Sequence, residues 1–346
     1  MMLECAGDCT LQRGRKSGGT VKPFGVFLLA MSVVFVASLP SLGALAQQAD
    51  APPAWAYVMN PADFKAPEDD GSLRHVPDSG AAWTLTQLRD RFFAPDWHPE
   101  DHPKMPEIVA QGRKPDVLAC GFCHRADGPG GPENIGIAGL PAAYIVQQMA
   151  EFKSGARQSA VPERAPVAMM TSLSRAASDE EVAAAAAYFS GLKPRKNITV
   201  IETEMVPKTY VAGWFLAAVN DKDKEPIGMR IIEMPKDVER FESRDARSEF
   251  FAYAPVGSIA KGEALARTGG DGKTTNCATC HGPKLKGLGP IPGIAGRSPS
   301  YLVRQLYDFK SGARAGQGSP LMTGVVANLD EEDFVSLAAY AASLAP

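Results

Sequence analysis

Two short segments of the chain combine two thiols and an imidazole at identical spacing. Residues 120–124 are Cys-Gly-Phe-Cys-His, and residues 277–281 are Cys-Ala-Thr-Cys-His. Thiols three positions apart can form a disulfide or redox pair, bind a metal as thiolates, or become thioethers of a covalently held group. The remaining cysteines, Cys5 and Cys9, lie near the amino terminus. Every thiol after residue 9 therefore belongs to one of these two segments.

The Cys-x-x-Cys-His order is typical of the attachment of c-type haem. Two thiols one helical turn apart can each bond a vinyl group of the same porphyrin, and the next histidine then faces the iron. A thioredoxin-like pair or a disulfide would account for one such segment, but two in one repeat favour haem. Structural zinc would need ligands gathered from segments more than 150 residues apart. We therefore predict two covalently bound haems c, with these attachment residues and histidine iron ligands: Cys120, Cys123, Cys277, Cys280, His124 and His281.

Two methionines at matching positions are candidates for the second axial ligand of each iron. Met322 lies 41 residues after His281, and Met170 occupies the corresponding place in the first half of the chain. A thioether is a neutral, soft ligand that favours ferrous iron, so His/Met coordination raises the reduction potential and closes the iron to substrates. Methionine is also a common packing residue, and Met169 competes for the first site. The predicted ligand pairs are His124 with Met170 and His281 with Met322.

An internal repeat places the two motifs in homologous units. Gly136–Gly139 reappears as Gly293–Gly296, and Phe152–Arg157 reappears as Phe309–Arg314, in both cases 157 residues later. The offset then falls to 152 because the first copy carries five extra residues before Met170. One duplicated unit explains these matches.

Helical periodicity recurs at the same places in both copies. It predicts helices over 141–153 and 300–310, and a closing helix in each copy that begins after Ser178 or Asp330. Gly155 and Gly312 are placed to end the first pair of helices. The predicted fold class is mainly α, with one helical domain in each copy of the repeat.

Two segments fall outside the repeat. Residues 47–102 are rich in Pro, Asp and Trp, have a helical stretch near 85–92, and are predicted to pack over the first domain. Residues 194–256 contain β-rich runs and predict a small antiparallel hairpin or sheet that bridges the domains. The predicted organisation is a signal peptide (1–46), an amino-terminal extension (47–102), domain 1 (103–193), a bridging segment with a β-hairpin (194–256) and domain 2 (257–346).

The amino terminus has the composition of an export signal. Basic residues precede an apolar run from Phe24 to Leu39, and Ala44-Leu45-Ala46 supplies small residues for cleavage before Gln47. The alternative is an uncleaved membrane anchor. In an oxidising compartment, unprotected Cys-x-x-Cys pairs would become disulfides unless thioether formation consumed the thiols. We therefore predict a periplasmic protein that meets membranes only through partners or through an uncleaved anchor.

The charge of the predicted mature chain excludes a nucleic-acid function. Removing residues 1–46 takes away four basic and two acidic residues, so 32 basic and 37 acidic residues remain. Nucleic-acid binding depends on a basic surface. A mildly acidic protein suits a redox partner with a positive docking patch.

Taken together, the motifs resemble those of tandem di-haem class I cytochromes c of bacterial periplasms. The resemblance rests on the two Cys-x-x-Cys-His motifs, the Gly-Ile-Ala-Gly turns, the late methionines and the closing Ala-x-Tyr helices, and covers well over half of the mature chain. It implies a small all-α fold around each haem and electron shuttling from a dehydrogenase or quinol-oxidising complex to an oxidase or reductase. The family also places a proline whose carbonyl holds the haem histidine. Pro292 fits that place in the second copy, whereas Ile135 stands there in the first.

Electron transfer without chemistry of its own is the leading hypothesis, and two alternatives stay open. One is a haem enzyme, peroxidase-like or sulfur-compound-oxidising, with an open or unusually ligated iron. Its spare histidines would be His75, His98 and His102, which all precede the first domain; His98 and His102 are flanked by prolines, which favours a turn or surface role. The other alternative is a cytochrome subunit fixed in a dehydrogenase complex.

Overall fold

The computed structural model describes residues 51–220 and 222–346. The predicted signal peptide, residues 1–46, lies outside the described residues. Among the helices of the described segments, none has the length and apolar character needed to cross a bilayer. The described chain is mainly helical, as predicted.

Most of the helices lie in the two copies of the repeat, whereas α1 and α7 lie outside them. In the amino-terminal half they are α1 (Leu85–Arg89), α2 (Glu107–Ala110), α3 (Cys120–His124), α4 (Ala142–Ser154), α5 (Ala165–Ala176) and α6 (Asp179–Gly191). In the carboxy-terminal half they are α7 (Val238–Glu242), α8 (Ser258–Thr268), α9 (Ala278–His281), α10 (Pro299–Lys310), α11 (Ser319–Val326) and α12 (Glu331–Ser343). Short 3-10 turns lie at Pro99–Asp101 and Pro283–Leu285.

Local sequence explains where the predicted helices begin and end. Ser178 and Glu181 form a reciprocal capping box at the start of α6, and Asp330 with Asp333 does the same for α12. Helix α4 ends at Gly155, whose φ of 79° lies in the left-handed region that glycine adopts without strain. The helices predicted over 141–153 and 300–310 are confirmed as α4 and α10.

Helices α5 and α11 were not predicted, although they carry the two candidate methionines. Each has a proline in its first turn, at Pro166 and Pro320, a position that the missing N–H and fixed φ of proline suit.

The second copy of the repeat is built on a close crossing of α8 and α12. Gly262 of α8 lies so near α12 that a Cβ built on it would meet the Ser336 carbonyl oxygen at 2.0 Å. The core beneath includes Val303, Tyr307 and Phe334, all buried. In the first copy the corresponding helix, α2, has only four residues. The two copies therefore differ in how their first helix supports the site.

The strands of the described chain lie in the segment between the copies. They are β1 (Ile198–Glu202), β2 (Met205–Pro207), β3 (Thr209–Val211), β4 (Leu216–Ala218), β5 (Lys224–Pro226), β6 (Ile232–Pro235) and β7 (Phe250–Ala254). β6 and β7 pair antiparallel, as do β2 with β5 and β3 with β4. β1 instead pairs parallel with β7, with Ile198 opposite Phe250. The antiparallel pattern predicted for this segment did not anticipate that pairing.

The residues of the predicted extension contact both copies of the repeat, whereas they were predicted to pack over the first domain. Trp55 donates a hydrogen bond to Glu331 at 3.0 Å, and buried Tyr57 donates one to Asp308 at 3.0 Å, both in domain 2. Further along, the indole of Trp97 donates to the Ser243 carbonyl of the bridging segment at 2.7 Å. Buried aromatic surface, rather than sequence proximity, determines where this segment lies.

Candidate functional site

The first thiol pair lies on the single turn of α3 at the wall of a cavity. Gly121, between the two cysteines, allows α3 to approach its neighbours, because a Cβ there would meet Ala94 Cβ at 2.8 Å and the Val109 oxygen at 2.9 Å. The cavity gathers the first-site residues that the sequence predicted and surrounds them mainly with apolar side chains. Its lining includes Cys120, Cys123, His124, Ile137, Leu140, Ile145, Phe152, Met170, Leu173 and Phe189.

The second cavity repeats this arrangement around α9. Ala278 stands where the first copy has Gly121, and the lining again joins thiols, imidazole, thioether and apolar side chains. Its lining includes Cys277, Cys280, His281, Leu285, Ile294, Leu302, Phe309, Met322, Val325 and Leu337.

Each motif histidine is held by a backbone carbonyl eleven residues further along the chain. His281 Nδ1 donates to the Pro292 oxygen at 2.8 Å, and His124 Nδ1 donates to the Ile135 oxygen at 2.9 Å. A carbonyl only accepts, so both rings carry the proton on Nδ1 and offer the Nε2 lone pair. Burial lowers the pKa of both histidines, which favours this neutral form. The carbonyl of Ile135 therefore accepts the histidine hydrogen bond that a proline carbonyl accepts in the family.

The cysteines are poor candidates for redox thiols. All four are free in the structure. Burial raises the pKa of Cys120 to about 12 and that of Cys277 to about 11, and it also raises the pKa of Cys123. A thioredoxin-like pair depends on a lowered thiol pKa. The environment instead suits sulfurs whose function is covalent attachment.

The structure distinguishes the two methionine candidates of the first site. Met170 lines the cavity that contains His124, whereas its neighbour Met169 is not among the residues that line it. Met322 lines the cavity that contains His281. Each cavity thus has two thiols and one imidazole with an available Nε2 in an apolar surrounding. The thioethers are Met149 and Met170 in the first cavity and Met322 in the second. This donor set fits a covalently held haem with His/Met ligands.

The two cavities share a polar wall made by both copies. Arg157 of domain 1 donates to Tyr301 at 2.9 Å and to Gln305 at 3.1 Å. At positions 157 residues further on, Arg314 of domain 2 donates in return to Tyr144 at 2.9 Å and to Gln148 at 2.8 Å. The two tyrosines and two glutamines line both cavities. The duplicated sequence thus forms an approximately twofold contact through which the two sites meet.

Arg297 links the loops that hold the two histidines. Its guanidinium donates across the domain contact to the Gly136 oxygen at 2.7 Å and the Ala138 oxygen at 2.9 Å, and its Nε donates to the Gly293 oxygen at 3.4 Å. Gly136 follows Ile135, and Gly293 follows Pro292. Sequence reasoning missed this residue, although the repeat offered a signal, because the matching residue of the first copy is the apolar Leu140.

The spare histidines are not brought to either cavity. His98 is buried with Nε2 3.1 Å from Asp245, and His102 has Nε2 3.1 Å from Asp96. Neither they nor His75 are among the described residues that line the two cavities. His98 precedes the 3-10 turn, as a turn role requires, but it lies in the interior and not at the surface.

Residues 259–345, nearly the whole of domain 2, match the family model named Cytochrome c. The chain therefore belongs to the cytochromes c, a family that carries covalently bound haem. The resemblance to di-haem class I members that the motifs indicate is confirmed by relatives that span both copies.

Two relatives align with about two thirds of the chain. A thiosulfate dehydrogenase electron acceptor from Thiomonas intermedia is 26% identical over 234 residues, which are 66% of this chain and 80% of the relative. Cytochrome c4 from Pseudomonas aeruginosa is 26% identical over 230 residues, 65% of this chain and 83% of the relative. Among solved structures, reduced cytochrome c4 from Pseudomonas stutzeri is similar with a TM-score of 0.44 and 25% identity over 65% of this chain and 93% of that one.

Proposed function

We propose that the chain is a periplasmic electron carrier with two haems c, in which each domain binds one haem. The observation that carries this proposal is the repetition of one complete donor set in two cavities that share a wall. Bound haem supplies one-electron exchange between ferric and ferrous iron. The cysteines would anchor it and His124, His281, Met170 and Met322 would supply ligands to the iron, while the carbonyls of Ile135 and Pro292 orient the histidines.

The contact between the domains supports electron exchange within one molecule. Tyr144, Gln148, Tyr301 and Gln305 line both cavities, as do Ile135 and Leu140, so the two sites share one layer of side chains. The buried arginines Arg157 and Arg314 hold that layer from opposite sides. With a haem bound in each cavity, this hydrogen-bonded contact would hold the two sites at a fixed separation.

Mass and absorbance measurements test the haem count. The purified, exported protein is expected to begin near Gln47 and to exceed the mass of its polypeptide by two haems. Replacing Cys120 and Cys123 together with alanine should leave one haem. A colourless protein, or a polypeptide mass without addition, would refute the proposal.

Carbon monoxide binding separates the carrier from a haem enzyme. Two irons closed by methionine should bind little carbon monoxide in the reduced protein, whereas strong binding at one haem would favour the peroxidase-like or sulfur-compound-oxidising alternative. Purification with a dehydrogenase subunit would instead favour a fixed cytochrome subunit.

The name of one relative supports a particular class of electron donor. We propose that this chain, like the relative called a thiosulfate dehydrogenase electron acceptor, takes electrons from a thiosulfate-oxidising enzyme. Mixing the oxidised protein with a purified thiosulfate dehydrogenase and thiosulfate should then reduce its haems, which absorbance follows directly. Reduction no faster than with thiosulfate alone would exclude this donor.

A further inference from the structure

The two motif helices differ in how far the rest of the chain covers them. Phe122 lies between the cysteines of α3 and is buried, whereas Thr279, 157 positions later in α9, is exposed. The loops that follow show the same contrast, since Gly131 is buried and its counterpart Leu288 is 56% exposed. The duplicated sequence therefore has one motif inside the molecule and the other at its surface.

Residues from outside the repeat cover the first motif. The guanidinium carbon of Arg244 lies 3.6 Å from the centroid of the Phe122 ring, and its Nη1 donates to the Phe122 oxygen at 3.0 Å. Ala94 packs against Phe122 in a small apolar cluster. A Cβ built on Gly131 would meet the Phe241 ring at 2.9 Å. A partner protein cannot reach α3 without displacing this cover.

The second cavity opens to solvent beside its motif. Among the described residues that line the first cavity, Gln158 is the exposed one. The exposed residues that line the second cavity form what we call its mouth: Thr275, Pro290, Gly318 and Leu321. Thr275 lies two residues before Cys277, so a group bonded to that cysteine has its attached edge next to the mouth. The second site is therefore the one that a partner can approach.

The mouth combines exposed apolar side chains with basic ones. Leu321 is 75% exposed, and Leu288 donates a backbone hydrogen bond at 3.2 Å to Ile291, which lines the cavity. Residues 272–307, which include the motif and the loop after it, contain five basic residues and no acidic one: Lys273, Lys284, Lys286, Arg297 and Arg304. In the first copy the position of Lys284 is occupied by the buried Asp127. The charge at this position is therefore reversed between the copies.

The ion pairs around the mouth leave one lysine free. Lys273 pairs with Asp330 at 2.8 Å, and Lys286 donates to the terminal Pro346 oxygen at 2.9 Å. Lys284 is exposed and has no ion-pair partner in the described part of the chain. The free charge on the loop that borders the mouth is therefore positive, although acidic residues outnumber basic ones in the predicted mature chain.

We propose that the mouth of the second cavity is the surface on which this carrier docks its redox partners, and that such a partner presents acidic groups around its own redox centre. This inference rests on the proposed function, since it requires a haem in each cavity. The partner gives up or accepts one electron at the second site, and no bond is made or broken. The first site exchanges electrons only through the wall that both cavities share. Apolar contact excludes water at the mouth, and the lysine steers the approach.

Nuclear magnetic resonance of the reduced, isotope-labelled holoprotein locates the docking surface directly. The probe is a purified flavodoxin, a small acidic protein that transfers single electrons, added in its oxidised form at low ionic strength. The amide signals of residues 282–291 and 318–321 should shift as the flavodoxin is added. Shifts centred on α3 and on the residues that cover it would overturn the proposal.

Charge reversal tests the same surface through the rate of electron transfer. In stopped-flow reduction by flavodoxin hydroquinone, Lys284→Glu should lower the second-order rate constant about tenfold at low ionic strength, and the difference should shrink as salt screens the attraction. Leu288→Glu, at an exposed position, should act in the same direction. Arg91→Glu is the matched control: Arg91 is exposed over the first motif, where its oxygen accepts from the Ala119 N–H at 3.0 Å. It should change the rate constant by less than about twofold.

The possible failures can be told apart. Equal slowing by Lys284→Glu and Arg91→Glu would show that only net charge matters, and slowing by Arg91→Glu alone would make the first motif the docking surface. Either result, in protein that carries two haems, refutes the role of the mouth while the di-haem function stands. If the native protein lacks covalent haem, the proposed function itself fails.

Discussion

Replacing Gly262 by alanine is expected to destabilise domain 2, because this glycine marks the closest approach of α8 and α12. The added Cβ would lie 2.0 Å from the Ser336 oxygen and 2.8 Å from Tyr340 Cβ. Both atoms are backbone or directly attached to it, so the helices themselves must separate. Overpacking of this kind costs about 3 kcal/mol, and the better helix propensity of alanine returns about 1. The expected net loss is about 2 kcal/mol.

Gly324→Ala is the matched control. Gly324 lies in α11 of the same domain, its φ is not positive, and a Cβ there would have nothing within 4 Å. Alanine should therefore stabilise the domain by up to about 1 kcal/mol. Denaturant unfolding of the purified holoprotein, followed by far-ultraviolet circular dichroism and by haem absorbance, measures both variants. Equal or greater stability of Gly262→Ala would refute the assigned helix crossing.

Three other changes have defined outcomes. Met322→Ala should open the second iron to carbon monoxide and lower its midpoint, and Met170→Ala should do the same at the first iron. Met169→Ala should leave both irons closed, and an open first iron in that variant would make Met169 its ligand. Arg297→Leu should perturb the spectra of both haems, since it frees the loops behind both histidines, and a change at one haem alone would contradict that link. The hydrogen bond from Arg247 holds the pKa of Asp101 well below its usual range, so Asp101→Asn should cost about 1 kcal/mol or less at pH 7. The cost should shrink progressively below about pH 4, because the carboxylate of the unfolded chain gains its proton there while the native one stays ionised; denaturation at several pH values measures this convergence.

Folding lowers the pKa of Asp101, and this direction determines how its contribution to stability depends on pH. A carboxylate whose pKa is depressed by folding contributes stability above its ordinary pKa, about 3.9, and loses that contribution as the pH falls toward the folded value. Asp101 lies in the extension, and its Oδ2 accepts hydrogen bonds from Arg195 Nη2 at 2.7 Å and from Arg247 Nε at 2.7 Å. A variant that remained equally destabilised at low pH would show that packing, and not this charge, is responsible.

Short-range chemistry made a large part of the site predictable. The spacing of Cys120, Cys123 and His124 is the one that covalent attachment of a single prosthetic group requires, so it can be recognised in the sequence without knowledge of the fold. Capping residues such as Ser178 and Asp330 act on backbone groups within one turn, so their helices begin where predicted. The matched offsets of the repeat likewise identified Met170 before any contact was known.

Long-range contacts account for what was missed. The parallel partner of β1 is β7, about 50 residues away, and no local pattern encodes which strand will be its neighbour. Ile135 holds His124 through a backbone carbonyl, which every residue type offers equally, so the substitution of proline appeared more disruptive than it is. Arg164 is likewise an ordinary loop arginine until its burial in the first cavity is known.

The amino-acid sequence by itself determined the chemistry of this protein: two thiol pairs, two imidazoles and two thioethers at spacings that covalent bonding and helix geometry demand. Only the tertiary structure decided how the two copies differ and how they meet, through Arg157, Arg297 and Arg314 reaching across the contact. The reason is physical. Motif chemistry depends on atoms a few bonds or one helical turn apart, whereas burial and pairing of a charge depend on whichever distant segments the folded chain brings around it.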